Sequence, residues 1–475
     1  MNSKNYFLFL INTMLVMSSF SQNYVKDATF NIGDGFDVTP DYYIELPDNK
    51  LLVSGGFDYL NNTEAKRLVR LMPDGGIDSE FSADPFLHDK FVNRLKALTD
   101  GRIVVAFKLT SLPNAAGGLV LLHPDGNIDD SFSAVQTSNP INDIEIQSDG
   151  KILICGNFYS INGATRNSVA RFNSNGTVDT SFNAGNGSNI ETNDLHLLPD
   201  GKIIVAGSFS SFNGNVSQKS ITRLLPNGSV DPEFTPGSYY QNRIHKVAVQ
   251  DDGKIIAVGD FIQTPSLSGS TNRIIRLMPN GEKDATFNIG TGFGGGTRYI
   301  TLLDDGSSLV GGNMIHYNGT GTLANGLIVL NSDGTQNASY NFGYGFYTGH
   351  ANINVTKTDQ LNSGKIMVLG TFHSYNGVNL FNTPKLTRLV DQNLAVNANK
   401  KDEFIYYPNP ATTNLTVKAP EATNLLLFDC NGRKLTSFSL SSGENTLDIS
   451  GFSKGIYVLQ CQGENQTETI KLVIN

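Results

Sequence analysis

The chain has no tryptophan and only 3 cysteines among its 475 residues. So few cysteines exclude a disulfide scaffold, and none has the C-x-x-C spacing of a metal site. Cys155 lies in an apolar run and reads as a small core residue. Cys430, beside an Asn431-Gly432 turn, and Cys461 form the one pair that an exported chain could oxidise. Charged residues are also scarce, at 17% against an average of about 25%. The net charge of −9 excludes nucleic acid and anionic membrane surfaces as partners, because both are bound through basic residues. Long apolar runs are missing too. Tyr6 to Met17 is shorter than the roughly 20 residues that span a bilayer. With Lys4 before it and Ser19-Phe20-Ser21 after it, residues 1–21 read as a secretory leader that leaves Gln22 at the mature start. No cysteine follows for lipid attachment. Loss of the leader removes one Lys and no acid, so the remainder is more acidic still.

What the chain has is glycine, 48 residues of it, arranged in a repeat. An Asp-Gly-Lys turn, an apolar run ending in Gly and then an aromatic recur seven times, as in Asp149-Gly150-Lys151 to Phe158 and Asp200-Gly201-Lys202 to Phe209. The turn position falls at Asn49, Gly101, Gly150, Gly201, Gly253, Gly306 and Gly364. A second phrase follows: Arg-Leu or Arg-Phe, two residues, Asp-Gly or Asn-Gly, then Asp-x-x-Phe. Arg70 with Asp78 and Phe81, and Arg276 with Asp284 and Phe287, are examples. Asp-Gly and Asn-Gly between apolar runs signal hairpins of type I′, which need positive φ at both central residues. A third turn of the Phe-x-x-x-Asn-Gly kind occurs at Phe158–Gly163, Phe209–Gly214 and Phe372–Gly377. Three turns joining four strands in about fifty residues describe a β-propeller blade.

The two ends of the repeat complement each other. Asp27-Ala28-Thr29-Phe30 has no turn phrase before it, and the copy ending at Arg388 has no Asp-x-x-Phe after it. A ring of seven blades closed by the N-terminal strand accounts for both and leaves no sheet edge exposed. The sixth copy is degenerate, with Ser307 for Lys, Met314 for Phe and Tyr340 for Phe. These phrases resemble delta-60 repeats, a bacterial propeller family of uncharacterised function, over roughly residues 27–395. The resemblance implies the fold and says little about a ligand.

After a polar stretch from Asp391 to Phe404 the period stops. The expected organisation is leader 1–21, propeller 22–395, linker 396–404 and tail 405–475. Short alternating runs at 414–417, 425–428, 446–449, 456–459 and 469–474 suggest a small antiparallel β-sandwich, so the whole chain is all-β. Tyr407-Pro408-Asn409-Pro410, the Asp429 to Gly432 turn, Gly455-Ile456-Tyr457 and the last strand around Lys471 resemble the type A C-terminal sorting domain of the type IX secretion system of Bacteroidetes. That resemblance implies the secretion machinery as partner. It also implies passage through the periplasm and an end at the cell surface or in the medium.

No catalytic motif stands out. The histidines (His88, His123, His196, His245, His316, His350 and His373) form no H-E-x-x-H, and there is no G-x-S-x-G. Gly33-Asp34-Gly35, Gly290-Thr291-Gly292 and Gly343-Tyr344-Gly345 precede strands, so they read as connections between blades and not as phosphate loops. Asp251-Asp252-Gly253 and Asp304-Asp305-Gly306 lack the dense acidic spacing of a calcium loop, so no metal or cofactor is expected. Arg70, Arg171, Arg223, Arg276 and Arg388 recur at one blade position and should pair with the acid of the Asp-x-x-Phe phrase.

Positions that differ between copies are better candidates for function. Counting back from the first turn reaches Arg94, Asp143, Asp194, Lys246 and Tyr299 at the start of the innermost strand. They are either solvated loop ends or a mixed polar ring at the channel mouth suited to a small polar ligand or glycan, with Tyr42-Tyr43 and Tyr239-Tyr240 as stacking faces. Three functions follow: a non-enzymatic module binding a glycan or protein, a secreted polysaccharide hydrolase or lyase, and a structural coat component. The first is expected.

Overall fold

The computed structural model describes residues 22–237, 240–263, 273–319, 322–323, 325–347, 353–379, 385–392, 405–407, 411–419, 422–429, 433–462 and 467–474. The chain forms two compact units, Met1–Ala395 and Val396–Asn475. Regular structure among the described residues is strand throughout, apart from a 3-10 turn at Pro85–Leu87.

In the first unit seven successive groups of three strands pair antiparallel in the same order. The first strands are Pro40–Glu45, Phe91–Ala97, Ile141–Ile146, Thr192–Leu197, Tyr240–Val249, Thr297–Leu302 and Asn354–Gln360. Among the second strands, Ile152–Gly156 and Ile203–Gly207 are buried at every residue. Each is therefore an unbroken apolar run with no alternation, as a strand covered on both faces requires. The covers are neighbouring groups: Val104 and Leu121 share a cluster with Ile154 and Phe172. Tyr43 and Val53, from the first group, share one with Met367, Leu369 and Leu386 from the seventh.

Two expectations change. The ladder has three regular strands and not four. The fourth place is usually one isolated bridge, as at Leu71↔Ile77, Phe172↔Val178 and Leu224↔Val230. The chain leaves the ladder there, and where the third strand carries an Arg the Asp and Phe of the Asp-x-x-Phe phrase meet it. There are two exceptions: in the second group Val135–Thr137 pairs with the third strand through Val135↔Leu119, Gln136↔Gly118 and Thr137↔Gly117, and in the seventh Gln22–Lys26 pairs through Tyr24↔Asp391, Val25↔Val390 and Lys26↔Leu389. The third turn does not lead to a fourth strand either. It makes a small hairpin between the second and third strands, such as Ser160–Ile161 with Ala164–Thr165.

The turn types also differ from expectation. At the Asp-Gly turns only Gly has positive φ (+80° at Gly150). The Gly150 N–H donates to Gln147 O, and the Gln147 N–H donates to Lys151 O, both at 2.9 Å. This is a type I turn closed by a left-handed glycine. Asp149 serves through its side chain, accepting the Lys151 N–H at 3.2 Å. The type I′ geometry belongs to the small hairpins, where Asn162 (+48°) and Gly163 (+79°) are both left-handed. The Gly-rich phrases pack against these hairpins: a Cβ on Gly33 would lie 2.5 Å from the Asn61 side chain.

The expected Arg–Asp pairs are present at every predicted arginine. Nε of Arg70, Arg171 and Arg223 lies 2.7 Å from Oδ2 of Asp78, Asp179 and Asp231, and Arg276 lies 2.8 Å from Asp284. Each guanidinium also covers the Phe of the phrase, at 5.0 Å for Arg70 over Phe81. A second N–H reaches the next group, as in Arg171 Nη1 to Pro226 O at 2.7 Å. Arg388 repeats this pattern across the ends of the repeat. It donates to Asp27 at 2.6 Å and to Pro73 O at 2.7 Å, and lies 4.8 Å from the Phe30 ring.

The second unit has two antiparallel sheets. One is Ile405–Tyr407, Asn414–Ala419 and Gly443–Asp448. The other is Lys434–Leu440, Thr423–Asp429, Gly455–Gln462 and Thr467–Ile474. Both contribute to one apolar cluster that includes Leu415, Val417, Leu425, Leu427, Leu447 and Leu472. Strands 405–407 and 434–440 were not expected from the sequence.

Candidate functional site

Each of the seven first strands carries a register shift at the same place, between Pro40/Tyr42, Val92/Arg94, Ile141/Asp143, Thr192/Asp194, Ile244/Lys246, Thr297/Tyr299 and Val355/Lys357. A bulge of one residue re-aims the side chains around it. Arg94, Asp143, Asp194, Lys246 and Tyr299 all directly follow a bulge. They are strand residues, buried or half-buried, so the loop-end reading is replaced. Tyr42 and Lys357 hold the equivalent places in the first and last groups, and the same count back from Asn49 and Gly364 reaches them. With the bulge residues Asn142, Asn193, His245 and Arg298, these side chains line a cavity of about 340 Å³.

Acids and cations in the cavity are interlocked. Asp143 Oδ2 accepts the Leu195 N–H at 3.1 Å, and Asp194 Oδ2 accepts the Val247 N–H at 2.7 Å, so each carboxylate grips the following group's bulge. Lys246 Nζ lies 3.3 Å from Asp143 and also bonds Asp194. Burial works against charge on both acids and on the lysine. Lys246 nevertheless holds Asp143 well below the carboxylate range, whereas burial and the Asp143 charge push Asp194 well above it. The two carboxyls therefore titrate as one unit. Burial opposes the charged form of Lys246 as well, but the two acids outweigh it and raise the ammonium. Lys357 Nζ lies 4.8 Å from the Tyr42 ring centroid and 4.6 Å from that of Tyr43, so the last group meets the first. It also donates to Tyr299 OH at 3.0 Å.

His245 was not predicted. It is half-buried, with Nε2 2.8 Å from Asp260 Oδ2. Arg298 Nη1 lies 2.9 Å from the same oxygen. Burial pulls the imidazole below its ordinary value, so it is neutral at neutral pH. No sequence signal marks it; its place on a bulge, defined by the strand pairing, brings it to the cavity. Of the expected stacking faces, the one at Tyr42-Tyr43 does not form. Tyr43 is 1% exposed and its OH donates to Met367 O at 3.1 Å, while Tyr42 has Arg94 over its ring at 5.0 Å. Tyr239 and the Tyr240 side chain lie outside the described residues. Beyond the ring a second cavity, of about 460 Å³, contains Lys96, Glu145 and His196. Burial, with Lys246 and Lys96 near, lowers His196 to about 4. No group of three or more potential metal ligands occurs among the described residues.

In the second unit Tyr407 is exposed and its OH donates to Glu444 Oε1 at 3.2 Å. The Ala411 N–H donates to Val473 O at 2.8 Å, tying the start of the tail to the strand that carries Lys471. Gly455 opens the strand in which Tyr457 packs into the core, the Tyr457 OH donating to Ser453 O at 2.6 Å. Pro408, Asn409, Pro410, Cys430 and the side chains of Lys471 and Cys461 lie outside the described residues, as do residues 1–21.

Residues 46–81, 147–182, 198–234 and 250–287 match the family described as a domain of unknown function (DUF5122) beta-propeller. Residues 406–475 match the secretion system C-terminal sorting domain. No curated protein matches the chain. Similar solved structures include a gluconolactonase from Xanthomonas campestris, at 13% identity and TM-score 0.34 over 61% of this chain and 94% of that one. Another is the calcium-binding protein regucalcin from Agrobacterium tumefaciens, at 15% and 0.35 over 62% and 88%. A GH74 xyloglucanase from Xanthomonas campestris matches at 12% and 0.44 over 84% and 60%. These likenesses are too slight to say anything of activity. No helix among the described residues is long and apolar enough to cross a membrane. The chain is an all-β protein of delta-60-type propeller repeats whose C-terminal sorting domain engages type IX secretion machinery, which takes it through the periplasm to the cell surface or beyond.

Proposed function

We propose that residues 22–395 are a seven-bladed propeller closed by the N-terminal strand, that the tail is a β-sandwich, and that the propeller is a non-enzymatic binding module with its ligand in the bulge-lined cavity. Closure is supported by Arg388, which treats Asp27 and Pro73 as the other arginines treat their own and the next group's residues. The observation that carries the binding reading is the register shift shared by all the first strands. One repeated backbone device presents different side chains to one cavity, the way a common scaffold carries an individual site. The lining is amide, hydroxyl and charge: no aliphatic residue is among the described residues of the cavity. A peptide brings apolar side chains that need apolar pockets, so a hydroxyl-rich glycan fits better than a protein.

Melting of the exported protein against a panel of polysaccharides, with product assayed in the same mixtures, tests this. A ligand that binds only the native state must raise the melting temperature. A saturable rise without product supports a binding module. Product overturns it in favour of a hydrolase or lyase, for which His245 on Asp260 is the available base. A flat response leaves a structural coat as the better account.

A further inference from the structure

The charges of the bulge-lined cavity do not all find partners inside the protein. Lys246 is held by Asp143 and Asp194, Arg298 by Asp260, and Lys357 by Asp359. Three of the four acids are engaged as well: Glu191 takes Arg243 at 2.9 Å and Asn142 at 3.0 Å, and Asp143 and Asp194 each accept a backbone N–H as well as Lys246; the fourth, Asp41, stands in the field of Arg94 and Lys108 without contacting either. Among the described cations of the cavity, Arg94 alone has no acid within ion-pair distance. Its one hydrogen bond to another residue is from Nη1 to Asn93 O, at 2.6 Å. Most of its five N–H donors remain for a ligand. The guanidinium is held over the Tyr42 ring, 5.0 Å from its centroid, so the fork is positioned before anything binds.

This arrangement selects for charge over ring stacking. Tyr42, the aromatic beside Arg94, already has a cation over it, and the Lys357 ammonium is also within 4.8 Å of its centroid. A neutral sugar would have no free aromatic face at this position and would leave the Arg94 fork without a direct partner, since Asp41 and Asp143 act on it only from beyond ion-pair distance. A planar oxyanion instead matches the guanidinium fork with two parallel hydrogen bonds. The amides of Asn142 and Asn193 border the same cavity and can serve ring hydroxyls.

We infer that the ligand is an acidic glycan whose carboxylate or sulfate group docks on Arg94. This rests on the glycan-binding reading above and narrows it. The overall charge of the protein is negative, so attraction comes from the cavity itself, and binding should weaken as salt rises.

The test is calorimetric titration of the whole exported protein with trigalacturonate, with sulfated maltotriose and with plain maltotriose. Saturable binding of either acidic sugar, with the neutral one at least about tenfold weaker, is expected from a charge-assisted contact; which acidic sugar binds tells carboxylate from sulfate. Arg94→Ala should cost a similar factor, and Arg94→Lys should recover part, since it keeps the charge and loses the fork. Arg94→Gln, which keeps the length of the side chain, separates loss of charge from loss of packing, and thermal scans of all three variants establish that they fold. Binding of maltotriose as tightly as the acidic sugars, or acidic binding indifferent to Arg94, would overturn the inference and leave the binding-module reading standing. No binding of any probe would overturn it too, while the wider panel decides the parent reading separately.

Discussion

Asp179 answers to two cations. Arg171 reaches it from the third strand at 2.7 Å and Lys151 from the turn at 3.1 Å, and Asp78, Asp231, Asp284 and Asp27 have the same pair of partners. This explains the Lys of the Asp-Gly-Lys phrase, which turn geometry alone does not require. The degenerate group confirms the logic, for Ser307, Val329 and Asn337 stand where the Lys, Arg and Asp would be. All three charges vanish together, because an unmatched one would be buried. In the second group Leu121 replaces the Arg, and Arg102 of the turn takes Asp129 at 3.0 Å. Breaking one such set by Asp179→Asn should lower stability by about 3–5 kcal/mol, the cost of an uncompensated buried charge. Val329→Arg alone should be similarly harmful, and adding Ser307→Lys and Asn337→Asp should recover much of the loss; urea titrations of the set would check both. Burial raises Asp27, Asp78 and Asp284, but their hydrogen bonds and cations outweigh it and hold them at about 2. Folded values below the unfolded value of about 3.9 mean stability that is fully present above that pH and is lost as pH falls toward 2. His196, at about 4 against 6.5, makes the same loss begin below pH 6.5. Acid unfolding followed by circular dichroism should show a slow decline from pH 6.5 and a steep one below 4; a flat profile would contradict the pairing. A smaller effect concerns Asn62, left-handed at +59° where other hairpins carry Gly163 or Gly214. Asn62→Gly should stabilise by roughly 0.5 kcal/mol, since Asn tolerates this region but still strains in it.

Strands and turns were legible to different depths. The period, the buried second strands and the Arg–Asp contacts all came from residue types in register, and contacts between repeats must recur where residues recur. The bulges were not legible. Nothing in Ile141-Asn142-Asp143 or Ile244-His245-Lys246 announces an extra residue, because the extra residue is defined only by the partner strand. Counting back from the turn therefore found the candidate side chains while missing why they point into a cavity, and it stopped short of Tyr42 and Lys357. The Asp-Gly turns misled because their Asp works through a side-chain bond and not through its own φ. The N-terminal strand was legible from what the two ends of the repeat lack. Its removal makes an element-scale prediction: deleting 22–30 takes away Asp27, Phe30 and the strand paired with Leu386–Asp391, leaving Arg388 unpaired and an edge open. Lower thermal stability and concentration-dependent association by light scattering should follow. An unchanged monomer with an unchanged melting temperature would show that the strand does not close the ring.

At the scale of the whole molecule the second unit sets the destination, and recognition is the role proposed for the first. The tail's apolar cluster is drawn from residues 411–474 alone, so it does not share its core with the repeats. It owes nothing to the fifty-residue period, and the sequence reading recovered it through a separate resemblance. Two of its strands were missed. Ile405–Tyr407 is short, and in Lys434–Leu440 the polar residues outnumber the apolar ones. Because the cores are separate, removal of 405–475 should leave the propeller folded and take away only the sorting step. The expected outcome is a protein that crosses the inner membrane and accumulates in the periplasm, with its melting temperature and any cavity ligand binding intact. Fractionation of cells into periplasm, surface and medium would measure this, with the full chain as reference. A truncated protein that is degraded and cannot be found would be separated from one that is stranded by purifying the propeller and melting it. Undiminished levels at the surface or in the medium would mean that the repeats carry their own export signal, and the tail would then need another role.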